Sequence, residues 1–260
     1  NIAAGPDFKG TITDVGGPTV NMYGAQCRRW EREGACSDKK CLVPQVCAGY
    51  KVAFERMIGL YRRLRRIPGV KHVFAGSGLR FDLLQGTQGD MYLEELCRHH
   101  ISGLLKVAPE HCADEVLTLM NKPKFAVYED FINRFRAACK AAGKKLFVVN
   151  YFISAHPGSS LRETLKMALY LVKRGVRPEQ IQDFIPAPMT VSTCMYHTGK
   201  QPFTGKAVYV TRAFRERKMH RALIQYDKPA NRELIVEALK QIDALHVLPK
   251  FRQAGRSRKE

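Results

Sequence analysis

An α/β fold made of βα units is predicted by three observations. Apolar, β-rich runs recur at Gly10–Val15, Val70–Ala75, Leu104–Val107, Leu146–Ile153 and Ile181–Ile185. Helical spacing fills the intervals between them. Each run ends in Gly, Pro or polar residues, the punctuation of a strand passing into a loop. Strand and helix alternating over about 180 residues argue for a parallel sheet, doubly wound or closed towards a barrel.

The elements follow in order. The run at 10–15 leads into "DVGGPT" (14–19), where Gly16 and Gly17 allow a tight exit or a close approach of backbone to a ligand. Phe54, Met57, Ile58, Tyr61 and Leu64 recur at helical spacing. The run at 70–75 exits through "GSGLRFD" (76–82), in which Ser77, Arg80 and Asp82 either bind a carboxylate or organise the loop internally.

The run at 104–107 is followed by "KVAPEH" (106–111) and a helical pattern opened by Asp114 and Glu115, two acids favourable to a helix N-terminus. Period-2 alternation puts Leu104, Lys106 and Ala108 on one face, which a barrel strand can turn into its lumen. Lys106 can then bind a carboxylate and Glu110 can accept from an ammonium or from ribose hydroxyls; the alternative is a plain Lys106–Glu110 ion pair.

Phe131, Phe135 and Ala138 mark the next helix, and Leu146–Ile153 the next strand, leaving through "ISAHPGSS" (153–160). There Ser159 or Ser160 reads as a helix N-cap, and His156 as a general acid or base needs a partner the sequence does not identify. Leu165, Ala168, Leu169 and Val172 form a third helix closed by Gly175, and Ile181–Ile185 exits through "IPAPMT" (185–190). Five such exits form a ring of loops around one pocket, at the carboxyl ends of the strands.

Residues 1–190 are therefore expected to form the barrel-type domain and 191–260 a basic, mostly helical appendix. The appendix holds "RAFRERKMHRALIQY" and "NRELIVEALKQIDAL", then a tail, "KFRQAGRSRKE", expected to be frayed.

Lys and Arg outnumber Asp and Glu by 43 to 24, a formal net charge of +19 that favours RNA or another polyanion as a partner. Arg62, Arg63, Arg65 and Arg66 encircle more than half a helix. Arg212, Arg215, Arg217, Lys218 and Arg221 are the better phosphate-contact candidates. No apolar stretch is long enough to span a bilayer, and the first residues lack the order of a secretion signal. The eight cysteines then read as thiols or metal ligands, and the expected location is the cytoplasm.

Cys27, Cys36, Cys41 and Cys47 place half of the cysteines within 21 residues. No CxxC pair occurs, yet four thiolates in one loop suit Zn²⁺ or an iron–sulfur cluster, against reduced thiols in a loop core. Cys97 and Cys139 fall in helical patterns; Cys112 and Cys194 fall near the expected pocket mouth.

"LLKVAPEHCADEVLTLMNK" followed by "AAGKKLFVVNYFISAHPGSSLRETLKMALYLVKRG" resembles the second half of a radical S-adenosylmethionine domain. More narrowly, "GTITDVGGPTVNMYG", the four-cysteine loop, "SGLRFDLL", "LKVAPEH", "YFISAHPG" and "QDFIPAPMTVSTCMYHTG" together resemble the YgiQ family of radical SAM proteins, in order along essentially the whole chain. The resemblance implies a partial (β/α) barrel that binds S-adenosylmethionine beside a [4Fe–4S] cluster. Reduced by an external electron donor, that cluster cleaves the sulfonium bond, and the 5′-deoxyadenosyl radical takes hydrogen from a substrate. By position, Gly16 and Gly17 are similar to the family's glycine motif near the methionine amino group, and Glu110 to the acid of its "ESGS" turn. Ser77, Arg80 and Lys106 carry over as further cofactor-binding positions.

One departure is evident. The cluster loop of that family, Cys-x3-Cys-x2-Cys, has no counterpart here, and the intervals of 9, 5 and 6 between Cys27, Cys36, Cys41 and Cys47 do not match it. The chain opens without Met and runs almost at once into a strand pattern, so the expectation is a fragment whose cluster loop lies upstream and which is inactive alone. The four cysteines are then similar to a second group in the family, structural or an auxiliary metal site. Two other readings stand beside this one: a barrel lyase using Lys106 as a Schiff-base nucleophile, and a basic nucleic-acid-binding protein with a structural metal loop.

Overall fold

A computed structural model describes residues 2–17, 19–179 and 181–251. In chain order the elements are β1 (Thr11–Ile12), β2 (Gln26–Cys27), α1 (Arg28–Glu33), β3 (Tyr50–Lys51), α2 (Phe54–Arg65), β4 (His72–Val73) and α3 (Gly86–Glu95), which ends in a π turn at Leu96–His100. Then follow β5 (Leu104–Glu110), α4 (Asp114–Leu119), α5 (Phe125–Ala142), β6 (Phe147–Ser154) and α6 (Leu161–Arg174). The last are β7 (Ile181–Asp183), α7 (Val191–Thr198), α8 (Phe214–Ile224) and α9 (Arg232–Gln241).

Every expected strand is present and the fold is mixed α/β. β1 and β4 pair in parallel through Thr11–His72 and Ile12–Val73. β5, β6 and β7 form a sheet in that order, with β6 and β7 parallel through Phe152–Ile181. A parallel bridge joins Leu79 to Val107. Among the described residues these ladders do not close into a barrel, because β1 and β4 are only two residues long.

The chain divides into two compact units. One comprises Asn1–Ala108 with Ala126–Asn150, the other Pro109–Phe125 with Tyr151–Glu260. In the first, α2 turns Met57, Ile58 and Tyr61 inward and α3 supplies Tyr92 and Leu93. Helical spacing gives each of these elements one apolar face. Phe131 and Tyr128 of α5 close over Phe81 with ring centroids 5.7 Å apart in each pair.

The second unit is built on α6. Ser160 and Glu163 form a capping box at its start, and Gly175, at φ 65°, ends it in the left-handed conformation that glycine adopts without strain. Ala168 and Leu171 of α6 pack with Met219 and Leu223 of α8 and with Ile235 and Leu239 of α9. Phe251, inside the tail expected to be frayed, is buried in the same core, 6.1 Å from the Tyr226 ring. The rest of that tail, 252–260, lies outside the described residues, as does Pro18 of the glycine loop. Among the described residues no helix is long and apolar enough to cross a membrane.

Candidate functional site

In the first unit the exits of β1 and β4 are stitched together by two side chains that sequence reasoning did not single out. Asp14 accepts from the backbone N–H of Gly76 at 2.7 Å and of Ser77 at 3.0 Å, and from the Ser77 hydroxyl. Asn21, fully buried, donates to the Arg80 carbonyl at 2.7 Å and accepts from its N–H at 2.9 Å. The glycines make this approach possible: a Cβ on Gly16 would sit 3.0 Å from Ser77 Oγ, and one on Gly76 would sit 2.8 Å from the Thr13 carbonyl. Burial works against the Asp14 carboxylate, but the Ser77 hydroxyl, the two N–H groups and the Lys106 ammonium hold it below the usual range.

Beside this junction lies a cavity of about 500 Å³, within the span of small-molecule sites. Gly16, Gly17, Val15 and Val20 form one wall; Met57 and Tyr61 of α2 form another. The Tyr61 hydroxyl donates to the Val15 carbonyl at 3.2 Å. Thr19, a lining residue, has a buried hydroxyl with no hydrogen-bond partner among the described residues. A Cβ on Gly17 would meet nothing within 4 Å.

The remaining predicted residues of this unit have structural partners. Ser77 is held by Asp14. Arg80 pairs with Asp82 at 2.5 Å, so the 76–82 loop is organised internally. Lys106 lies on the exposed face of β5, while Leu105 and Val107 are buried on the other, and its electrostatic partner is Asp14.

Glu110 belongs to the second unit. Its φ of 66° is strained for a residue with a side chain, as is the φ of 55° at Ala155 beside His156. Burial raises the Glu110 carboxyl, against the Lys122 ammonium 3.1 Å away, so the partner of Glu110 is Lys122 and not Lys106. A second cavity, about 240 Å³, is lined by Glu110, Lys122, His156, Asp183, Phe184 and Ser192. His156 Nδ1 donates to the Pro157 carbonyl at 2.7 Å, leaving Nε2 to accept from the Ser192 hydroxyl at 2.8 Å. Ser192 is the partner that was missing from the sequence reading, and Ser160 is the N-cap.

Behind Glu110 runs a buried polar chain. The Ala113 N–H donates to His111 Nδ1 at 3.0 Å, which places the His111 proton on Nε2, facing Ser159 Oγ at 3.2 Å. Ser159 continues to Thr164 at 3.1 Å, Thr164 to His220 Nδ1 at 2.6 Å, and His220 Nε2 to Thr211 at 3.1 Å. Each donor meets an acceptor, the condition under which a buried network stabilises.

The basic stretch of α8 is engaged within the chain. Arg215 pairs with Glu237 at 2.6 Å and Arg221 with Asp183 at 3.1 Å. Arg212 donates to the Tyr196 and His197 carbonyls, Arg217 to that of Phe184, and Lys218 lies over the Phe214 ring.

Cys27, Cys36, Cys41 and Cys47 are free thiols, and among the described residues no three His, Cys, Asp or Glu side chains are gathered closely enough to hold a metal ion. Cys97 and Cys139 are buried core residues, Cys112 is half-buried against the α6 core, and Cys194 is exposed on α7.

Known proteins place this architecture first by a module and then by close relatives. Residues 179–254, spanning β7 to the end of the helical region, match a family described as a domain of unknown function, DUF3362. Over nearly its whole length the chain is similar to UPF0313 proteins. It is 51% identical to one from Methanosarcina mazei over 98% of this chain and 40% of that protein. It is also 51% identical to one from Methanosarcina acetivorans, over 98% of this chain and 34% of that protein. A UPF0313 protein from Clostridium botulinum is 46% identical over 90% of this chain and 36% of its own length. UPF0313 is the YgiQ-type family. The chain thus spans well under half the length of the curated relatives it matches.

Proposed function

We propose that this chain is the S-adenosylmethionine-binding part of a radical SAM enzyme with a partial (β/α) barrel, acting on a substrate still to be assigned. The observation that carries the reading is the Gly16–Gly17 loop on the rim of the 500 Å³ cavity, with the orphaned Thr19 hydroxyl in its wall. The strand order and the motif resemblance along the chain support it.

The residues present fit the cofactor. Gly16 and Gly17 leave the backbone accessible to its amino-acid end, Asp14 supplies an ionised carboxylate next to them, and the apolar wall of Met57 and Tyr61 accommodates its hydrocarbon parts. Glu110 lies in the other unit, where it pairs with Lys122. When reduced, bound S-adenosylmethionine supplies a carbon-centred radical for hydrogen abstraction. The role of this chain is to orient the cofactor and keep water away from it.

The residues present do not fit a [4Fe–4S] cluster: the chain has no Cys-x3-Cys-x2-Cys loop. In a protein of the relatives' length the cluster would be held by residues outside this chain, which would be inactive alone. An electron donor and a cytoplasmic location belong to the same proposal. No observation favours the lyase reading, since Lys106 is exposed whereas a Schiff-base lysine needs a desolvated site. The nucleic-acid reading has lost its best candidate stripe to internal pairs.

Equilibrium dialysis against S-adenosylmethionine tests the proposal. Saturable binding is expected, weakened about tenfold or more by Gly17→Val, because a side chain there enters open cavity without touching the fold. Binding that is absent, or indifferent to the substitution, would overturn it.

A further inference from the structure

The second cavity holds a pair of side chains that the proposed function does not use. All of its lining residues belong to the second unit, and they gather at the ends of β6 and β7, where open parallel sheets bind ligands. Strained backbone surrounds it. Five non-glycine residues among the described ones have positive φ, and four of them, Glu110, Asn121, Ala155 and Met189, line this cavity or adjoin a residue that does. Such backbone is costly and gathers where a site fixes a geometry. Asn tolerates it; Ala155 and Met189 have no such excuse, and they precede His156 and the Thr190 cap of the helix that carries Ser192.

Ser192 Oγ lies 2.8 Å from His156 Nε2, within the reach at which a base takes a hydroxyl proton. The Pro157 carbonyl, 2.7 Å from Nδ1, fixes the tautomer with Nε2 bare and favours the imidazolium that such a transfer forms. Burial keeps the resting ring neutral, the form that accepts a proton. The Phe184 ring meets it edge-on, with centroids 5.1 Å apart. Nucleophile, base and a third group orienting the base are the three parts of an activated serine.

Ser192 is also the second residue of α7. Thr190 takes the Thr193 N–H on its hydroxyl and the Cys194 N–H on its carbonyl. The Val191 and Ser192 N–H groups therefore precede the first bonds of the helix, at its positive end, where a developing oxyanion is stabilised. Met120, Ile153, Phe184 and Ile185 supply an apolar wall, and Ile185, 67% exposed, carries that wall out to solvent.

We propose that Ser192 and His156 are the nucleophile and general base of a second site, which hydrolyses esters of small apolar acyl groups. Its volume of about 240 Å³ limits the acyl group to a short chain. Ser192 Oγ bonds to the ester carbonyl carbon as His156 Nε2 takes its proton, and the carbonyl electron pair moves to oxygen. Collapse breaks the bond to the alcohol oxygen, which leaves with the proton from Nε2. Water then attacks the acyl-serine; His156 takes one of its protons and returns it to Ser192 Oγ as the carboxylic acid departs. Nothing in this chemistry needs S-adenosylmethionine.

The whole chain incubated with a fluorophosphonate is expected to gain one phosphonyl group, on the peptide that contains Ser192, and to hydrolyse p-nitrophenyl butyrate with a burst of nitrophenol. Ser192→Ala should abolish label and burst, and His156→Gln should slow both by about 100-fold or more. Ser160→Ala, which weakens the α6 cap outside the cavity, should change neither, so lost chemistry is told apart from lost stability. If His156→Gln does not fold, the contrast between Ser192→Ala and Ser160→Ala decides alone. No label, label on another residue, equal loss in Ser160→Ala, or a folded His156→Gln that labels at the original rate would each overturn the assignment.

Discussion

Acidification from pH 6.5 to pH 5 is expected to weaken the second unit through two histidines kept neutral by the fold. His111 is fully buried; burial first, then electrostatic coupling to His220, His156 and Lys166, pushes its imidazole down to about 3. Burial takes His156 to about 4, against the Pro157 carbonyl, which favours the charged form. Unfolded, each titrates near 6.5, so below that pH the unfolded chain takes up protons that the native state refuses. Stability is therefore full above about pH 6.5 and drains as pH falls towards the folded values. At 1.36 kcal/mol per unit and per group, 1.5 units cost about 2 kcal/mol for each histidine. Glu110, whose carboxyl is raised, opposes the trend at the acid end, and Glu216, held low by His220, adds to it below the ordinary glutamate range. Urea unfolding at pH 7, 6 and 5 measures the slope. His111→Asn keeps an acceptor for the Ala113 N–H but does not titrate, and should remove about half of the contribution from the pair. A His111 ring resonance titrating with a midpoint above about 5, or a slope indifferent to His111→Asn, would refute the reasoning.

Three stability changes follow from local geometry. Ser160→Ala removes the hydroxyl half of the capping box on α6, leaving the backbone N–H of residue 160 on Glu163, and should cost about 1 kcal/mol in chemical denaturation. Gly89→Ala places a Cβ 2.6 Å from the Leu84 carbonyl carbon, a backbone atom, and should destabilise by about 1–3 kcal/mol. Gly59→Ala lies in α2 with nothing within 4 Å of the new Cβ, and should stabilise by about 0.5–1 kcal/mol; a loss there would mean the α2 surface is covered.

The strands were legible because apolar runs closed by Gly or Pro are a local signal, and all five expected runs contain one. α6 was legible at both ends, from Ser160 and from Gly175. α3 was not: it opens on Gly86, contains Gly89, and its N-cap residue Gln85 makes no side-chain cap. The β2–β3 pair was hidden for another reason, since a strand that buries nothing shows no alternation. In the first unit Gly16 lies against Ser77, but Asp14 and Asn21 act across 62 and 59 residues, and no local pattern reports such pairs. Ser192 reaches His156 across 36 residues, and Lys122 displaced Lys106 as the partner of Glu110, for the same reason.

Because the first unit is made of Asn1–Ala108 and Ala126–Asn150, its folding on the ribosome has to wait. Phe81 finds Phe131 and Tyr128 only when the second piece emerges, and Arg134 then ties α5 back to the Leu84 carbonyl at 2.6 Å and to Asp90. At about 5–20 residues per second, the 42 residues from 109 to 150 take roughly 2 to 8 seconds to synthesise. For that interval Phe81 and its neighbours are exposed on a nascent chain, a window in which a chaperone that captures aromatic segments has something to bind.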